Sequence, residues 1–480
     1  MRYHWNKFIP TLMQTILETS TVSEISDGMQ YGWSAPITGL LLSTRSPFSF
    51  KESDVVWIEI SLLFGTLIGI PITVVLLENL GRKQSIIIAT VQNLLAWVLI
   101  AFANSAGVVY AARFLSGIAA SVVFAAAPVY TAEIADKKVR GFLGSFFSLM
   151  MLGGILLMYS IGPFIPVMWS SAVGALFLIT QLVTLPFMPD SPYYYLIKGQ
   201  KQQARQALQK LRARCDVEGE LEEISEAVER QEAERGSRMD LFTVKSNRRA
   251  LLILVVLNCA QHLAGISVML MNIHMILSEA ASDLSPSTAA ILFSLVMWFA
   301  ALFGSRCIDR FGRRLVLIVS CIVTGATLLA LAIYFTIQSL DIDITAFSWI
   351  PVILVLIYAA AFRFGLGLVP IVLTAEIFPT SVKEIGVTIA ESSFTAASCV
   401  TIFVFPYLTK ACGLMAPFYI FSICCFLTSI FVLFFVPETK GKTLEEIQTL
   451  LKGTKPSHKL VPSYGTINSA NGISQERQWS

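Results

Sequence analysis

A short charged loop occurs twice in this chain, each time between two long apolar segments. One copy reads Asp309-Arg310-Phe311-Gly312-Arg313-Arg314 and the other reads Glu78-Asn79-Leu80-Gly81-Arg82-Lys83, so a glycine is followed by two basic residues in both. The two copies stand at corresponding places in two apolar halves of the sequence. A repeat of this kind indicates an internally duplicated membrane protein whose halves share one architecture.

The composition is that of a chain embedded in lipid. Of its 480 residues, 55% are hydrophobic and 14% are charged, whereas a soluble domain carries about 25% charged residues. The net charge of +3 and the short basic clusters do not favour a nucleic-acid partner. The eight cysteines lack the spacing of metal ligands. Because no nucleophile or cofactor motif is recognisable either, we predict neither an enzyme nor a cofactor or metal site.

Apolar stretches of about 20 residues, the length that crosses a bilayer, occur twelve times. They lie at 15–42, 55–77, 85–104, 107–132, 142–162 and 165–188, and at 249–277, 288–306, 315–337, 348–375, 385–408 and 414–436. Between the halves, charged and amide residues at helical spacing predict short amphipathic helices. The sequence therefore predicts an all-α membrane protein with two six-helix lobes, 15–188 and 249–436, a helical linker, 189–248, and terminal segments 1–14 and 437–480.

Lysine and arginine concentrate in the loops on one side of the predicted bundle. This side holds the two repeated loops, the linker and the tail, whereas the loops on the other side carry only Arg45, Lys51 and Lys410. Loops rich in positive charge stay in the cytosol. We therefore expect a multi-pass protein of the cell membrane with the linker and both termini in the cytosol.

The loops on the basic side repeat an arrangement of acids and bases in each half. Glu133 ends the fourth span and Glu376 ends the tenth, and a base and a glycine follow each of them. Carboxylates and guanidiniums at a membrane boundary can pair across two halves and separate again, as a gate would. The alternative is that these charges only fix the topology. The residues assigned to the cytosolic gate are Arg82, Glu133, Arg140, Asp309, Arg310, Arg313, Arg314, Glu376 and Glu438.

These motifs resemble those of the sugar porter family of the major facilitator superfamily. The matching segments are 309–314, 128–133 with Arg140-Gly141, 189–192 and 437–441, and the resemblance extends over about residues 15–450. The segment Gly32-Trp33-Ser34-Ala35-Pro36 is similar to the branch of insect facilitated trehalose transporters. The resemblance implies the major facilitator fold, with twelve transmembrane helices in two lobes, a cytosolic helical linker and a substrate site between the lobes.

The seventh span carries the polar side chains that a sugar at mid-membrane needs, namely Gln261, His262, Ser267 and Asn272. The resemblance implies that Gln261 contacts the substrate, because Gln261, Gly265 and Ile266 match the family pattern Gln-Gln-x-x-Gly-Ile-Asn. His262 and Ser267 replace the second Gln and the Asn of this pattern, and both can still donate or accept hydrogen bonds. By the same resemblance, Ser148 takes the place of the sugar-binding Gln of the fifth span.

Other positions depart from the family pattern. Ile371 stands for the tryptophan of the tenth span, Phe394-Thr395 stands for an Asn-Trp pair in the eleventh, and the asparagine of the eighth span aligns near Met297. A site that lacks hydrogen-bond partners discriminates against ligands that need them. Ordinary glucose is therefore a doubtful substrate, and another sugar, a polyol, or loss of transport are the open alternatives.

Three charged residues fall inside predicted spans, where a charge is expensive and indicates a role in the cavity. Arg113 opens the fourth span, and Arg363 lies in the tenth at a position where the family commonly has an acid. An Arg363 without a neutralising partner would favour an anionic substrate; the alternative is that its head group pairs with a neighbour. Proton-linked relatives carry an Asp in the first span, but Ser34 takes that position here, so that Asp27 is kept as the possible proton site.

The function that these expectations favour is facilitated diffusion of a trehalose-like or hexose-like sugar, or of a polyol, by alternating access. Two alternatives stay open. One is a relative that keeps the fold and senses sugar without transporting it, which the eroded site would suit. The other is a proton-coupled sugar symporter. The predicted partners are the small-molecule substrate and the lipid bilayer, and the sequence makes no statement about oligomers.

Overall fold

The computed structural model describes residues 22–41, 50–135, 140–212, 215–233, 239–279, 285–340, 342, 345–442 and 444–452. The predicted N-terminal segment 1–14, the start of the first span and the tail beyond 452 lie outside these residues. Within the described part the chain folds into twenty α-helices with three short 3-10 turns. Its all-α character agrees with the prediction from the periodicity of the apolar residues.

The helices before the linker correspond to the six apolar stretches of the first half. They are α1 (Ser23–Gly32), α2 (Ser34–Leu41), α3 (Glu52–Asn79), α4 (Gly81–Ala101), α5 (Ala106–Ile134), α6 (Arg140–Ile161) and α7 (Val167–Thr184). The linker contributes α8 (Pro192–Ile197), α9 (Lys201–Arg212), α10 (Glu218–Ala233) and α11 (Asp240–Thr243). The first predicted span is thus two short helices that meet at Trp33.

The second half repeats this order. It comprises α12 (Lys245–Leu263), α13 (Ile266–Glu279), α14 (Pro286–Phe311), α15 (Arg313–Ser339), α16 (Ile350–Phe364), α17 (Val369–Ile377), α18 (Lys383–Cys412) and α19 (Met415–Phe435), and α20 (Leu444–Lys452) follows. Ten segments of the described chain are long and apolar enough to cross a membrane, and a shorter apolar helix covers Phe146–Ile161. The remaining predicted span, that of α1 and α2, does not reach this length as one helix.

Two of the long segments are broken near their middle, which the sequence analysis did not foresee. Ala264 and Gly265 separate α12 from α13, and Gly265 has a positive φ of 83°, which only glycine adopts readily. Between α16 and α17 the chain leaves the helix from Gly365 to Leu368. Breaks of this kind expose backbone groups and are tolerated at membrane depth where they face a cavity or protein.

The helices of each half pack mainly with one another, and the halves meet along three seams. In the first half α3 and α4 pack on α5, and α1 packs on α6; in the second half α15 packs on α19 and α12 on α18. The seams between the halves pair α6 with α14, α3 with α18 and α2 with α13. Some of the polar side chains described next make contacts between the halves.

Candidate functional site

Ser267 is the centre of a hydrogen-bonded group that joins the two halves. Its Oγ lies 2.6 Å from His262 Nδ1, 2.8 Å from Ser398 Oγ and 3.4 Å from the hydroxyl of Tyr31. Tyr31 belongs to α1, whereas the other three residues belong to α12, α13 and α18. Because the Gly265 turn ends α12 and starts α13 at once, it brings His262 and Ser267 to the same place. We call these four residues the hydroxyl cluster.

His262 leaves one polar atom of the hydroxyl cluster without a partner. Its ring is fully buried and lies edge-on against Phe394, with 4.1 Å between ring centroids. While Nδ1 bonds to Ser267, Nε2 is buried and has no hydrogen-bond partner among the described residues. A buried orphan nitrogen is unfavourable unless something fills the bond. It is therefore a point at which a ligand hydroxyl would be held.

Gln261 lies next to the hydroxyl cluster but is fixed by a separate contact. Its Nε2 donates to Asn258 Oδ1 at 3.3 Å, and Asn258 Nδ2 donates to the Ala390 carbonyl at 2.9 Å. These bonds tie α12 to α18 one turn below the break. The amide of Gln261 is thereby oriented by its own half of the protein before any ligand binds.

The two remaining predicted substrate residues occupy different places. Ser148 is half-buried on α6 and makes no side-chain hydrogen bond among the described residues; beside it, the Leu149 carbonyl accepts from Trp298 Nε1 of α14 at 3.1 Å. Asn272 has non-helical dihedrals (φ −117°, ψ 15°), so that it kinks α13, and its side chain faces the carboxyl of Glu59 on α3. Both residues therefore lie at seams between the halves.

Arg113 lies buried near the carboxyl of Glu59, a residue that the sequence analysis did not name. Arg113 is fully buried, and its Nη1 donates to the Gln30 carbonyl at 2.5 Å and to Gln30 Oε1 at 2.9 Å. Its Nη2 donates to Ser34 Oγ at 3.3 Å, and the guanidinium lies 5.4 Å from the Trp33 ring centroid. Glu59, 3% exposed, lies near the guanidinium, but among the described residues no ion pair within 4 Å joins the two side chains, and Glu59 Oε1 has no hydrogen-bond partner.

Asp27 lies in a polar network within the first half rather than beside Arg113. Its Oδ1 accepts from Asn93 Nδ2 at 2.6 Å, and the Asn93 oxygen lies 3.5 Å from Gln30 Nε2. Two amides thus separate the carboxylate from the guanidinium. Glu24, one turn before Asp27, is also buried, and its Oε1 has no partner among the described residues.

Arg363 lies at the end of α16, at the second helix break. Its Nη1 donates to the Gly367 carbonyl at 3.3 Å, and its Nε is buried without a partner. Within the described part of the chain no carboxylate pairs with this guanidinium. The sequence analysis left open that the guanidinium of Arg363 pairs with a neighbouring side chain. The partner in the described structure is a backbone carbonyl, at a long distance.

The repeated loops lie at the end of the bundle on which the linker packs. In the first half, Arg82 Nη2 lies 3.0 Å from Glu133 Oε1, and the Tyr194 ring of α8 covers the arginine. Lys83 Nζ donates to the carbonyls of Pro186 and Met188 at 2.9 and 2.6 Å. The linker helix α9 adds a bond from Arg212 to the Ile134 carbonyl.

The second half repeats this arrangement, and both carboxylate oxygens of Glu376 have partners there. Arg313 Nη2 lies 2.9 Å from Glu376 Oε1, and the Thr439 hydroxyl donates to Glu376 Oε2 at 2.6 Å. The Glu438 carboxylate caps α15 by accepting from the backbone N–H groups of Arg313 and Arg314, both at 3.0 Å. Burial by itself would raise the pKa of Glu438, but bonds from several backbone N–H groups hold that pKa below its usual value.

The ion pairs of the repeated loops join elements of one half, not the two halves as the gate hypothesis expected. Arg82 with Glu133 lies wholly in the first half, and Arg313 with Glu376 wholly in the second. Arg310 accepts a bond from Lys440 at its carbonyl, and Arg314 donates to the Leu433 carbonyl. The side chains of Arg140 and Asp309 lie outside the described part of the structure. A role of these charges in gating stays a prediction.

We expect Glu438→Gln to destabilise the protein by about 1 kcal/mol at neutral pH, the value of a helix cap. Because the folded pKa is lowered, the carboxylate stabilises the fold above the unfolded value of about 4.5, and this stabilisation is lost as the pH falls through the lower folded value. Thermal unfolding in detergent at several pH values would measure the effect. Glu78→Gln, at an exposed acid of the other loop, is the control. Equal shifts for both variants at neutral pH would contradict the assignment.

Several residues of the site escaped the sequence analysis. Tyr31 and Ser398 complete the hydroxyl cluster, but a tyrosine or serine within an apolar helix gives no distinct signal. Glu59 and Glu391 did give one, since each is an acid inside a predicted span and such acids are costly. A search for acids within each apolar stretch would have found both.

Comparison with known proteins identifies the family. Residues 10–451 match the family model described as "Sugar (and other) transporter". A facilitated trehalose transporter, Tret1, of Polypedilum vanderplanki is 31% identical over 86% of this chain and 82% of its own length, and Tret1 of Bombyx mori is 28% identical over 90% and 85%.

Solved structures show the same fold. The inward-open xylose transporter XylE of E. coli superimposes with a TM-score of 0.75 at 22% identity, over 91% of this chain and 99% of that one. A second XylE structure, a proton:xylose symporter of the major facilitator superfamily bound to 6-bromo-6-deoxy-D-glucose, has a TM-score of 0.73 at 23% identity over 91% and 99%. The chain therefore has the major facilitator fold and belongs to the sugar transporter family.

Proposed function

We propose that the protein carries a sugar or polyol across the cell membrane by facilitated diffusion, with trehalose as the first candidate because its insect relatives are named for that sugar. The observation that carries the proposal is the hydroxyl cluster, which places donors and acceptors from both halves around one buried point. A sugar presents hydroxyls to such a site, and an unfilled bond at His262 Nε2 awaits one.

The movement that we propose is a rocking of the two halves around this point. Tyr31 is the first-half member of the hydroxyl cluster, and its 3.4 Å contact with Ser267 is long enough to exchange for a ligand hydroxyl. The three seams join packed helices through few polar bonds, so they can separate without leaving many buried groups unpaired. The broken segments α12–α13 and α16–α17 are the points at which the second half can bend.

The proposed topology has twelve transmembrane spans in two lobes, 15–188 and 249–436, with α1 and α2 together forming the first. The linker, both termini and the repeated loops then lie in the cytosol, as the basic residues of these segments favour. In this arrangement the Arg82–Glu133 and Arg313–Glu376 pairs stiffen the cytosolic end of each lobe, and the gate opens between the lobes.

We expect Ser267→Ala to raise the half-saturation concentration for sugar uptake about tenfold, because a lost hydrogen bond to a bound hydroxyl corresponds to about 1.4 kcal/mol. Uptake of labelled trehalose, glucose, fructose and polyols into oocytes or proteoliposomes would measure it, with Gln261→Ala as a second site variant. Ser294→Ala is the matched control, since that buried hydroxyl bonds only within its own helix.

If uptake is unchanged in both Ser267→Ala and Gln261→Ala, the proposed substrate site is wrong. Absence of uptake of any compound, with surface expression confirmed, would favour the sugar-sensor alternative.

Proton-coupled symport is the second candidate, and the buried carboxyl of Glu59 is the observation that favours it. Glu59 lies beside Arg113 and faces Asn272 of the other half, so a change in its protonation would alter a contact between the halves. Uptake into proteoliposomes with and without an imposed pH gradient decides between the candidates. Facilitated diffusion requires that the final accumulation does not follow the gradient.

A further inference from the structure

Four unfilled hydrogen-bond positions lie along α13 and the turn that precedes it. Both ring nitrogens of His274 are buried and have no partner among the described residues, and the same holds for Oε1 of Glu59 and for Nε2 of His262. A neutral imidazole carries one donor and one acceptor, so a buried ring that uses neither is costly. These atoms are therefore positions at which a ligand could bond.

Three contacts place one face of α13 against the first half. The Tyr31 hydroxyl of α1 lies 3.4 Å from Ser267 Oγ. Further along, the Tyr159 hydroxyl of α6 donates to the Leu270 carbonyl, and the Tyr159 ring lies edge-on to the ring of His274, with 5.9 Å between the centroids. The face of α13 from Ser267 to His274 therefore meets the first half at both of its ends.

Ser267 and His274 share this face because seven residues separate them. Seven residues are close to two helical turns and advance the helix by about 10.5 Å. Asn272 kinks α13 between them, but the contacts with Tyr31 and Tyr159 show that both residues still face the first half. The unfilled positions thus continue beyond the hydroxyl cluster, toward the end of α13 that is farther from the linker.

Glu59 of α3 lies near both ends of this face. Its carboxyl faces Asn272, and it is close enough to the hydroxyls of Tyr31 and Tyr159 for its charge to act on both. Tyr31 is the neighbour of Ser267, and Tyr159 is the neighbour of His274. A sugar hydroxyl can donate to a carboxylate and can both donate to and accept from an imidazole, so these groups suit a carbohydrate.

The length of this face exceeds one sugar ring. A hexose that bonds Ser267 and the free nitrogen of His262 is too short to reach His274 two turns further along the helix, whereas two linked rings are long enough. In the structure described here the unfilled atoms are covered, because Tyr31 and Tyr159 close the face. A ligand would reach them when the halves separate along α13, in the same movement that opens the hydroxyl cluster.

We propose that His274 and Glu59 form a second sugar subsite, so that a disaccharide binds with one ring at the hydroxyl cluster and the other ring at His274. This inference rests on the proposed function, which it deepens by assigning residues to a second ring. The subsite would select substrates by length. A disaccharide fills the positions at both ends of the face, whereas a monosaccharide at the hydroxyl cluster leaves the nitrogens of His274 without a partner.

The test compares one ring with two in the purified full chain. Ligand-induced thermal stabilisation in detergent and uptake into proteoliposomes are measured with trehalose and with methyl α-glucoside, which is one half of trehalose with a methyl group in place of the second ring. We expect trehalose to bind about tenfold or more tightly, and His274→Phe to weaken trehalose about tenfold while changing methyl α-glucoside less than about twofold, because one hydrogen bond to a ligand is worth about a factor of ten.

Further variants separate the subsite from the packing. His274→Phe keeps a ring against Tyr159 and removes both nitrogens, whereas His274→Gln keeps a donor and an acceptor and should lose less trehalose affinity. Ser267→Ala should weaken both sugars, because both use the hydroxyl cluster. Ser294→Ala, at a buried hydroxyl that bonds within its own helix, is the control and should change neither.

The results distinguish this inference from the proposed function. Equal affinities of the unmodified protein for the two sugars would overturn the inference, and uptake of both would leave the proposed function standing. An unchanged trehalose affinity in His274→Phe would overturn the inference as well. So would equal losses for both sugars in that variant, because a structural role of His274 does not distinguish one ring from two. If neither sugar binds or is taken up, both proposals fall.

Discussion

Arg113→Met should destabilise the protein by about 3 kcal/mol, because it removes a buried charged donor on whose hydrogen bonds Gln30 and Ser34 depend. The variant fills a similar volume with apolar atoms but leaves the buried carboxyl of Glu59 without a positive charge nearby. It also removes the donors that Gln30 and Ser34 accept from. Thermal or denaturant unfolding in detergent, followed by size-exclusion chromatography, would measure the loss.

A second variant separates the charge from the packing. In Arg113→Met/Glu59→Gln the uncompensated carboxylate is gone, so we expect the double variant to recover more than about 1.5 kcal/mol of the loss. Glu59→Gln alone should leave Arg113 with its bonds to Gln30 and should cost less than Arg113→Met. A double variant as unstable as the sum of the two single variants would show that the residues do not compensate each other.

We expect Gly154→Ala to lower the free energy of unfolding by about 3 kcal/mol or more. This is the upper range for substitutions that add atoms to a well-packed contact. Gly154 lies where α6 crosses α1, and a Cβ at this position would overlap the Ile25 carbonyl oxygen and approach the Met29 nitrogen to 2.9 Å. Both obstacles are backbone atoms, which cannot rotate away as a side chain can. The helices would have to separate and lose the bonds that α1 makes inside the first half.

The neighbouring glycine is a matched control for this prediction. A Cβ at Gly153 would meet only Trp298 Nε1, at 3.8 Å, which is an ordinary van der Waals contact. Gly153→Ala therefore adds the same methyl group to the same helix without a clash. We expect the melting temperature of this variant to stay close to that of the unmodified protein. A similar loss in both variants would attribute the effect to the helix itself and not to the α1–α6 crossing.

The sequence by itself determined the class of the molecule. The duplicated loops are recognisable because Gly81 and Gly312 are each followed by two basic residues. Both glycines have the positive φ that the tight turn needs. Apolar runs of helical length predict helices because lipid leaves the backbone no other partners. The repeat also identifies the loop arginines and the acids that end the fourth and tenth spans, although it does not say which of them pair.

The tertiary structure alone decided which residues meet in the interior. Tyr31 and Ser267 are separated by 236 positions, and nothing in either apolar run marks them as neighbours. Glu59 and Arg113 likewise meet only because α3 packs on α5. It was also the structure that placed the ion pairs of the repeated loops within each half and, among the described residues, left Arg363 without a carboxylate partner. Periodicity fixes which residues lie on one face of a helix, but the contacts between faces depend on how the helices of the described chain pack against one another.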